Sequence, residues 1–260
     1  ASVSSGVDRE ADLRRAVELA AAERVIRVPL IQFLQAEGRW QDALEVSGTA
    51  RVAFPGDFDL DLLHAAALVE TSSHEDAISV LDDIAVLPSE HSSTSHRIFA
   101  AAHTQAGLSA LEQGSPEKAA GHFESAMTWP ERLGLGRPYE PEERLQRYLL
   151  GVALSASGYE TGATAAFEAV VESTRAVASE GGMASRDDLP AILALVALQR
   201  RDEVLGFGNP REGAIGRVIA SVRAPDGDVD GVLQRTLEGA PELFADSEGR
   251  LLYRALMLGR

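Results

Sequence analysis

The chain has 260 residues, 45% of them hydrophobic, and a formal net charge of −16 at pH 7. This length and apolar content are enough to bury a sizeable core. The negative charge repels phosphate backbones and anionic lipid, so nucleic acids and membrane surfaces are poor candidate partners. The chain has no cysteine, which excludes disulfides and zinc–thiolate sites. No apolar stretch approaches the ~18 residues of a membrane-spanning helix, and we expect a cytoplasmic protein.

The first predicted helix runs from Asp8 to Arg24, where charged residues alternate with alanine and leucine at helical spacing. The residues before it, Ala1–Gly6, are small and polar. They resemble neither a signal peptide nor a native start, because no methionine begins them. We therefore expect the chain to be a fragment or a processed piece of a longer protein.

Helices arranged in pairs are predicted next along the chain. Pro29 and Pro116 fall in the first turn of their predicted helices, where the missing N–H of proline is tolerated. The three predicted pairs are Ile26–Ala36 with Trp40–Arg51, Asp59–Glu70 with His74–Val86, and Thr94–Gln113 with Pro116–Thr128.

A short pattern recurs along these pairs, with a turn glycine, an alanine, an aromatic or leucine residue, and a second small residue. The distance from Ala43 to Ala77 is 34 residues, which is a period found in repeats of two helices. The copies include Gly38, Ala43 and Ala50 in the first pair, Ala77 and Leu81 in the second, Gly114, Ala119, Phe123 and Ala126 in the third, and Gly158, Ala163 and Phe167 in the fourth.

Two steps of the pattern exceed this period. From Ala77 to Ala119 is 42 residues, and the polar cluster Ser89–Ser95 is predicted to absorb the excess as a loop. From Ala119 to Ala163 is 44 residues, because the segment Leu133–Glu142 is inserted. Its glycines and prolines preclude a continuous helix. Long loops in compact proteins are often functional, which makes this insertion a candidate site.

The repeat pattern degrades after Ala178. We therefore divide the chain into a repeat region, residues 1–178, and a region of degenerate repeats or capping helices, residues 179–260. A repeat array needs such an atypical end to cover its last apolar face. Helices are predicted over Ala191–Gln199, Ala214–Val222, Val229–Leu237 and Leu251–Leu258, with another beginning at Pro241.

The third and fourth pairs resemble the tetratricopeptide repeat in the positions of their small residues, turn glycine and aromatic residue. Gly107 and Gly151 occupy the small position that lets two helices approach. The resemblance implies that Phe123 and Phe167 fill the space between one pair and the next. It also implies the fold class, which is all-α: a right-handed α-solenoid of helix pairs with a C-terminal helical segment.

A second resemblance is confined to Trp129–Pro138, Glu143–Arg144 and Tyr148–Gly151. These residues resemble a segment of large bacterial proteins that carry an N-terminal β-sandwich domain of unknown function and C-terminal tetratricopeptide repeats. Those proteins are suspected to act on carbohydrates. The resemblance implies that this chain is the repeat region of such a protein, whose active site would lie mainly in the other part.

The first helix of each pair lines the inner groove of a tetratricopeptide solenoid, so the first resemblance also implies a binding surface. Lysine and arginine are nearly absent from these positions, unlike in the repeats that clamp C-terminal carboxylates. An apolar groove suits a helix or another domain of the same protein; the alternative is that the chain itself partly fills it. The candidate groove residues are Leu62, Ala66, Thr104, Leu108, Leu145, Tyr148 and Val152.

The inserted loop and its border carry further candidate binding residues, Arg137, Tyr139 and Arg144. Arginine can form paired hydrogen bonds with a carboxylate, and tyrosine can stack on a sugar face. The alternative is a connector whose charges pair with each other and with solvent.

No pattern predicts catalysis or a cofactor. The chain lacks a Gly–x–Ser–x–Gly nucleophile motif, and its Gly–x–Gly sequences do not follow strands as phosphate loops do. His91, His96 and His103 could hold zinc together with a carboxylate, but no tight ligand spacing is present. We therefore predict neither catalytic residues nor a metal.

These observations lead to two hypotheses about function. The first is a scaffold for protein interaction or assembly, not itself an enzyme, which binds a helix, a peptide or a neighbouring domain. A second copy of the chain is another candidate partner, because the edges of repeat arrays are apolar. The second hypothesis is a non-catalytic accessory region of a larger carbohydrate-active enzyme. Such a region would bind its own N-terminal domain and contribute the inserted loop to the active site.

Overall fold

A computed structural model of the chain describes residues 2–20, 23–88, 92–178, 189–207, 213–223, 229–244 and 247–258. Every regular element in these ranges is a helix, which confirms the predicted all-α class. None of the helices described is both long enough and apolar enough to cross a membrane. The α-helices are α1 (Ser2–Leu19), α2 (Arg24–Ala36), α3 (Trp40–Ala53), α4 (Phe58–Glu70), α5 (His74–Asp83), α6 (Ser92–Glu112), α7 (Pro116–Ala126), α8 (Arg144–Ala156), α9 (Glu160–Ala178), α10 (Leu189–Ala197), α11 (Gly213–Val222), α12 (Val229–Glu238) and α13 (Ser247–Leu258), and short 3₁₀ helices cover Glu131–Leu133, Arg201–Phe207 and Pro241–Phe244.

Several helices begin before the predicted residue, and α1 covers Ser2–Leu19 where Asp8–Arg24 was predicted. α2 begins at Arg24, so Pro29 lies in the helix interior and not in its first turn. The helix therefore lacks one backbone hydrogen bond, the bond to the carbonyl of Val25. α6 begins at Ser92, so the predicted loop Ser89–Ser95 is helical from Ser92 onward, while residues 89–91 lie outside the described ranges.

Periodicity predicts that α5 continues to Val86, but the helix ends at Asp83. Ile84 is extended, and the N–H of Val86 donates a hydrogen bond of 2.7 Å to the carbonyl oxygen of Arg132. Ile84 and Val86 are both buried. Because the bond partner lies far along the chain, helical periodicity could not reveal where α5 ends.

The turns that end the first helices repeat one geometry. Gly38, Gly114 and Gly158, just past their helices, have φ angles of 70°, 70° and 77°. The N–H of the next residue donates to the carbonyl five residues back, as Ser115 does to Ala110 at 2.9 Å. This bond satisfies a carbonyl at the helix end and lets the chain reverse within three residues.

Ser72 and Gln199 take the same left-handed conformation without being glycine, with φ angles of 65° and 58°. Ser72 ends α4, 34 residues after Gly38. Gln199 follows α10, and the N–H of Arg200 donates to the carbonyl of Leu195 at 2.8 Å. α10 therefore ends in the same way as the repeat helices, although the sequence pattern has degraded by this point.

Residues 1–106 and 128–139 form one compact unit, the first unit. Helices α1 to α5 each pack against the next, and α2 also contacts α4. Short three-residue connections after α2 and α4 make these neighbours antiparallel hairpins. The fully or nearly fully buried side chains of this unit include Ile31, Leu34, Leu60, Leu81, Phe99 and Leu133.

Residues 107–127 and 140–260 form the second unit, so the predicted boundary after residue 178 lies inside it. α7 packs on α8, α8 on α9 and α9 on α10, and α10 also contacts α8. Contact with both the next helix and the next but one therefore occurs in each unit. α11, α12 and α13 pack against the 3₁₀ helix Pro241–Phe244, and α13 also contacts α8.

Two glycines let paired helices approach closely. A Cβ atom on Gly107 would lie 2.5 Å from the ring of Phe123, and a Cβ atom on Gly151 would lie 2.5 Å from the ring of Phe167. Each ring therefore lies against the first helix of its own pair.

The equivalent positions in the first two pairs carry side chains of complementary size. Counted from the turn residue, these positions hold Ala65 and Leu81 in the second pair and Ile31 and Ser47 in the first. All four residues are buried. In the first pair the larger residue is on the first helix, and in the second pair it is on the second helix. In both pairs a large side chain is combined with a small one, as close packing at nearly constant volume requires.

Gly107→Ala is expected to destabilise the protein by about 1–3 kcal/mol, because the new methyl group would overlap the Phe123 ring. Urea unfolding followed by circular dichroism measures this loss. The double variant Gly107→Ala/Phe123→Leu, which copies the Ala65–Leu81 pair, should be more stable than Gly107→Ala alone.

Gly121→Ala is the matched control on α7. Gly121 is exposed, and a Cβ atom there meets nothing within 4 Å. Alanine has a higher helix propensity than glycine, so this change should leave the free energy of unfolding unchanged or raise it. Equal tolerance of the two alanine substitutions would contradict the close approach at Gly107.

Candidate binding surface

A stripe of exposed side chains runs along α2 in the first unit. Val25, Pro29, Gln32 and Ala36 recur every three or four residues and therefore share one face of the helix. All four are exposed, Val25 to 67%. The stripe lies on the first helix of a pair, the kind of helix predicted to line the groove.

On α4, the next first helix, the corresponding side chains are more enclosed. Ala66 is partly buried and Glu70 is exposed, whereas Leu62 is 5% exposed. Leu62 belongs to the same apolar cluster as Phe99, which corrects its assignment to the groove. We use the name first-helix surface for the exposed α2 stripe together with Ala66 and Glu70 of α4.

Polar contacts hold α2 against α4 beside this surface. Gln35 Nε2 donates a hydrogen bond of 2.8 Å to the carbonyl oxygen of Leu63. The Arg24 guanidinium forms ion pairs with Asp57 and Asp59 at the start of α4. Because the charge of Arg24 is neutralised in these pairs, it adds little positive potential to the first-helix surface.

Thr104 stands on α6 at the position that Leu62 occupies on α4, and it is buried like Leu62. Its hydroxyl donates a hydrogen bond of 2.7 Å to the carbonyl oxygen of Ala100, one turn earlier. The burial removes Thr104 from the residues that could line a groove.

In the second unit the predicted groove residues are buried as well. Leu108, Leu145 and Tyr148 are 0%, 6% and 7% exposed, and Val152 is partly buried. Burial raises the pKa of the Tyr148 phenol above its ordinary value, so the hydroxyl stays protonated. These side chains belong to or pack against the apolar core that contains Leu252 of α13. In this unit the candidate groove residues are therefore part of the apolar core or pack against it.

α13 is the element that lies on these first helices. It contacts α8, and Arg254 reaches α6. Nε and a terminal nitrogen of Arg254 donate to the two carboxylate oxygens of Glu112, at 2.6 Å each. A terminal nitrogen also donates to the Ser109 hydroxyl at 3.1 Å. Leu252 and Ala255 of α13 are buried in the core, so α13 has an apolar face with an arginine beside it.

Sequence reasoning did not identify α13 as the covering element. The apolar spacing of Leu251, Leu252, Ala255 and Leu258 does predict an amphipathic helix. Where that helix docks could not be predicted, because Arg254 and its carboxylate partner are separated by 142 residues.

The inserted loop Leu133–Glu142 begins from a fixed base in the first unit. Leu133 is fully buried, and its carbonyl oxygen accepts a hydrogen bond of 2.6 Å from the Ser95 hydroxyl. Gly134 has a φ angle of 75°, and a Cβ atom there would lie 2.7 Å from the carbonyl oxygen of Val86. Both the backbone conformation and the close approach therefore require glycine.

Aromatic contacts hold the chain just before the loop. The His96 ring stacks on Trp129 with ring centres 3.4 Å apart and an interplanar angle of 6°. Nε2 of His96 lies 3.0 Å from the carbonyl oxygen of Thr128, which can only accept, so this nitrogen carries the proton. Arg132 Cζ lies 5.8 Å from the centre of the Phe99 ring. These contacts fix the residues from which the loop departs.

The three predicted loop residues have different environments. Arg137 and Tyr139 lie in the exposed part of the loop, and Tyr139 is 97% exposed. Arg144 instead donates to the Glu142 carboxylate at 2.7 and 2.6 Å, and its side chain is only 11% exposed. Arg144 thus pairs with a neighbouring charge, as the connector alternative predicts, whereas Tyr139 presents its ring to solvent.

The histidines considered for zinc do not converge in the described part of the chain. His103 lies edge-on against Phe99 with ring centres 4.5 Å apart, and His96 stacks on Trp129. His91 lies outside the described ranges. Among the described residues, no group of three or more potential ligands is placed to hold a metal ion.

A buried polar cluster joins α3 and α4. The Ser47 hydroxyl oxygen and Nδ1 of His64 are 2.8 Å apart, and Arg51 forms an ion pair with Asp61 nearby. Ser47 is fully buried, so a substrate cannot reach its hydroxyl. Burial, and then the positive charge of Arg51, lowers the pKa of His64 below its ordinary 6.5.

Lowering the pH below 6.5 should destabilise the protein through His64. The unfolded chain takes up a proton on His64 near pH 6.5, whereas the folded chain resists protonation until its lower pKa is reached. The contribution of His64 to stability is therefore complete above pH 6.5 and is lost as the pH falls. Urea unfolding on either side of this pH measures the loss, which should be smaller in His64→Gln. His122→Gln, the same change at another histidine, should retain the full loss, and equal behaviour of both variants would exclude His64 as the cause.

Comparison with known proteins does not assign the chain to a family. No protein-family model matches the sequence, and no curated protein gives a significant match. The resemblances to tetratricopeptide repeats and to the bacterial β-sandwich proteins therefore stay predictions from the residues.

Proposed function

We propose that the protein is an interaction module that binds a polypeptide segment on its first helices, with the first-helix surface of α2 and α4 as the binding site. The observation that carries this proposal is the position of α13. This amphipathic helix lies against α8 and the end of α6, the equivalent first helices of the second unit. On α2 the corresponding stripe is exposed.

The proposal includes a right-handed arrangement of tetratricopeptide-like pairs. The left-handed turn after α2, α4, α6 and α8 supports it, as does the contact of α2 with α4 and of α8 with α10. The glycine–phenylalanine contacts of the third and fourth pairs agree with it too. In such an arrangement the first helices of a unit lie side by side and form one continuous face.

The composition of the first-helix surface favours a partner with apolar and basic side chains. Val25, Pro29, Ala36 and Ala66 offer small apolar contacts, and Glu70 adds a carboxylate at the border. The whole chain carries a formal charge of −16. Charge complementarity of this kind speeds the encounter with a basic segment and discriminates against acidic ones.

Gln32→Arg tests this binding site, because it puts a positive charge in the middle of the stripe. Peptides are selected on the wild-type chain from a random display library, and their affinities are measured by fluorescence anisotropy. We expect the selected peptides to be apolar and basic, and Gln32→Arg to weaken them at least tenfold, about 1.4 kcal/mol.

Gln41→Arg is the matched control, since it makes the same change at an exposed residue of α3. It should leave peptide affinity within about twofold, well below 1.4 kcal/mol. Failure to select any peptide, or an equal effect of both substitutions, would contradict the proposal. Light scattering tests a second copy as the occupant: a dimer that dissociates in Gln32→Arg but not in Gln41→Arg would identify it.

The accessory role in a carbohydrate-active protein is a second candidate function, and the geometry of the inserted loop favours it. The Tyr139 ring is 97% exposed. The loop departs from a base that Leu133 and Gly134 fix against the first unit. An exposed aromatic ring on an ordered base can stack on the apolar face of a sugar.

Tyr139→Ala tests this second candidate by affinity electrophoresis in gels that contain soluble polysaccharides. Retardation of the wild-type chain in at least one gel, lost in Tyr139→Ala, is the expected result. Tyr159→Ala provides the control, because Tyr159 is also exposed, at 60%, but lies outside the loop. Absence of retardation, or equal loss in both variants, would remove the support for sugar binding.

A further inference from the structure

α13 occupies a surface whose composition is that of a helix-binding site. Leu111 of α6 and Val152 of α8 pack against the same apolar core that buries Leu252 and Ala255 of α13. Glu112 and Ser109 stand beside this apolar patch on α6 and receive the guanidinium of α13. The arrangement is that of an amphipathic helix packed on an apolar surface, with one ion pair at the edge of that surface. We call this ion pair, Arg254–Glu112, the anchor.

α13 is bound less completely than the helices that form the core. The long apolar side chains of α10 are all buried from Leu189 to Leu195. On α13, Leu256 and Leu258 stay partly exposed, and the Arg254–Glu112 pair is 30% and 40% exposed. Detaching α13 would therefore expose less apolar surface than detaching α10, and salt weakens an exposed ion pair.

The second attachment of α13 lies on its other side. The rings of Phe244 and Tyr253 are 5.0 Å apart, and Tyr253 is 36% exposed. This contact joins α13 to the 3₁₀ helix that directly precedes it in the chain, Pro241–Phe244. It can therefore persist when the contacts to α6 and α8 are broken.

We propose that α13 is a displaceable occupant of the α6–α8 surface, and that this surface binds in trans an amphipathic helix with an arginine at the position of Arg254. Arginine is specified because its planar guanidinium donates two parallel hydrogen bonds to Glu112 and reaches Ser109, a pattern that a lysine ammonium cannot reproduce. Attached to the chain, α13 has an effective concentration on the order of millimolar, so it excludes the external helix until its own anchor is weakened.

Charge exchange at the anchor tests this inference on the full chain. The probes are two fluorescent peptides with the sequence of residues 247–258, one native and one with Arg254→Glu, and binding is followed by anisotropy. We expect the wild-type chain to bind neither peptide. The Arg254→Glu chain should bind the native peptide at least tenfold tighter than the Arg254→Glu peptide. The Glu112→Arg chain should instead bind the Arg254→Glu peptide more tightly. The chain with both substitutions re-forms the anchor with exchanged charges and should again bind neither.

Arg250→Glu is the matched control, because it makes the same charge change at an exposed residue of α13. The control chain should bind neither peptide. A milder variant, Arg254→Gln, covers the case in which charge reversal unfolds the chain: hydrogen exchange of the α13 amides should become faster than in Arg250→Gln.

Two results would overturn the inference. If the Arg254→Glu and Glu112→Arg chains keep their helical circular dichroism but bind neither peptide, α13 is a permanent part of the fold. If they bind both peptides equally, the surface does not select arginine. The inference extends the proposed function to a second surface, and the two can fail separately. Gln32→Arg changes neither α13 nor Glu112, so it should not alter peptide binding by the Arg254→Glu chain.

Discussion

The reversal of the chain within three residues at the end of each first helix is the constraint on which the rest of the structure depends. Each reversal needs one residue in the left-handed region, and Gly38, Ser72, Gly114 and Gly158 provide it in the four pairs. Because the turn is so short, the two helices must run antiparallel and in contact. First helices then become neighbours of each other, as α2 is of α4. The first-helix surface and the α6–α8 surface both depend on first helices lying side by side.

Close packing of the two helices follows from the short turn, and the chain meets it with residues of compensating size. Glycine faces phenylalanine at Gly107 and Gly151, and the other pairs place alanine with leucine or isoleucine with serine at the equivalent positions. The combined volume is thereby kept nearly constant while the individual residues vary. This explains why the pairs share one architecture although only some of them carry the aromatic residue of the pattern.

The charge of the chain is distributed so that its arginines are largely engaged with carboxylates. The chain has 40 acidic and 24 basic residues, and ion pairs such as Arg24–Asp57, Arg51–Asp61 and Arg254–Glu112 connect different helices. The carboxylates outnumber the basic groups that could pair with them. The two units differ in what lies on their first helices. In the second unit it is α13, with its own arginine, which indicates the chemistry that such a surface accepts.

Local order along the chain was determined by the sequence itself. Helical periodicity and turn residues act over a few positions, so they predicted the helix pairs, the turn glycines Gly114 and Gly158, and an irregular segment at Leu133–Glu142. Tertiary structure alone decided where α5 ends, since Val86 leaves the helix to bond with Arg132. It also decided that Leu108, Leu145 and Tyr148 are buried while the α2 stripe stays exposed, and that α13 returns to a glutamate 142 residues earlier in the chain. No local pattern specifies which amphipathic helix packs on which surface, because that choice depends on side chains that meet only once the chain has folded.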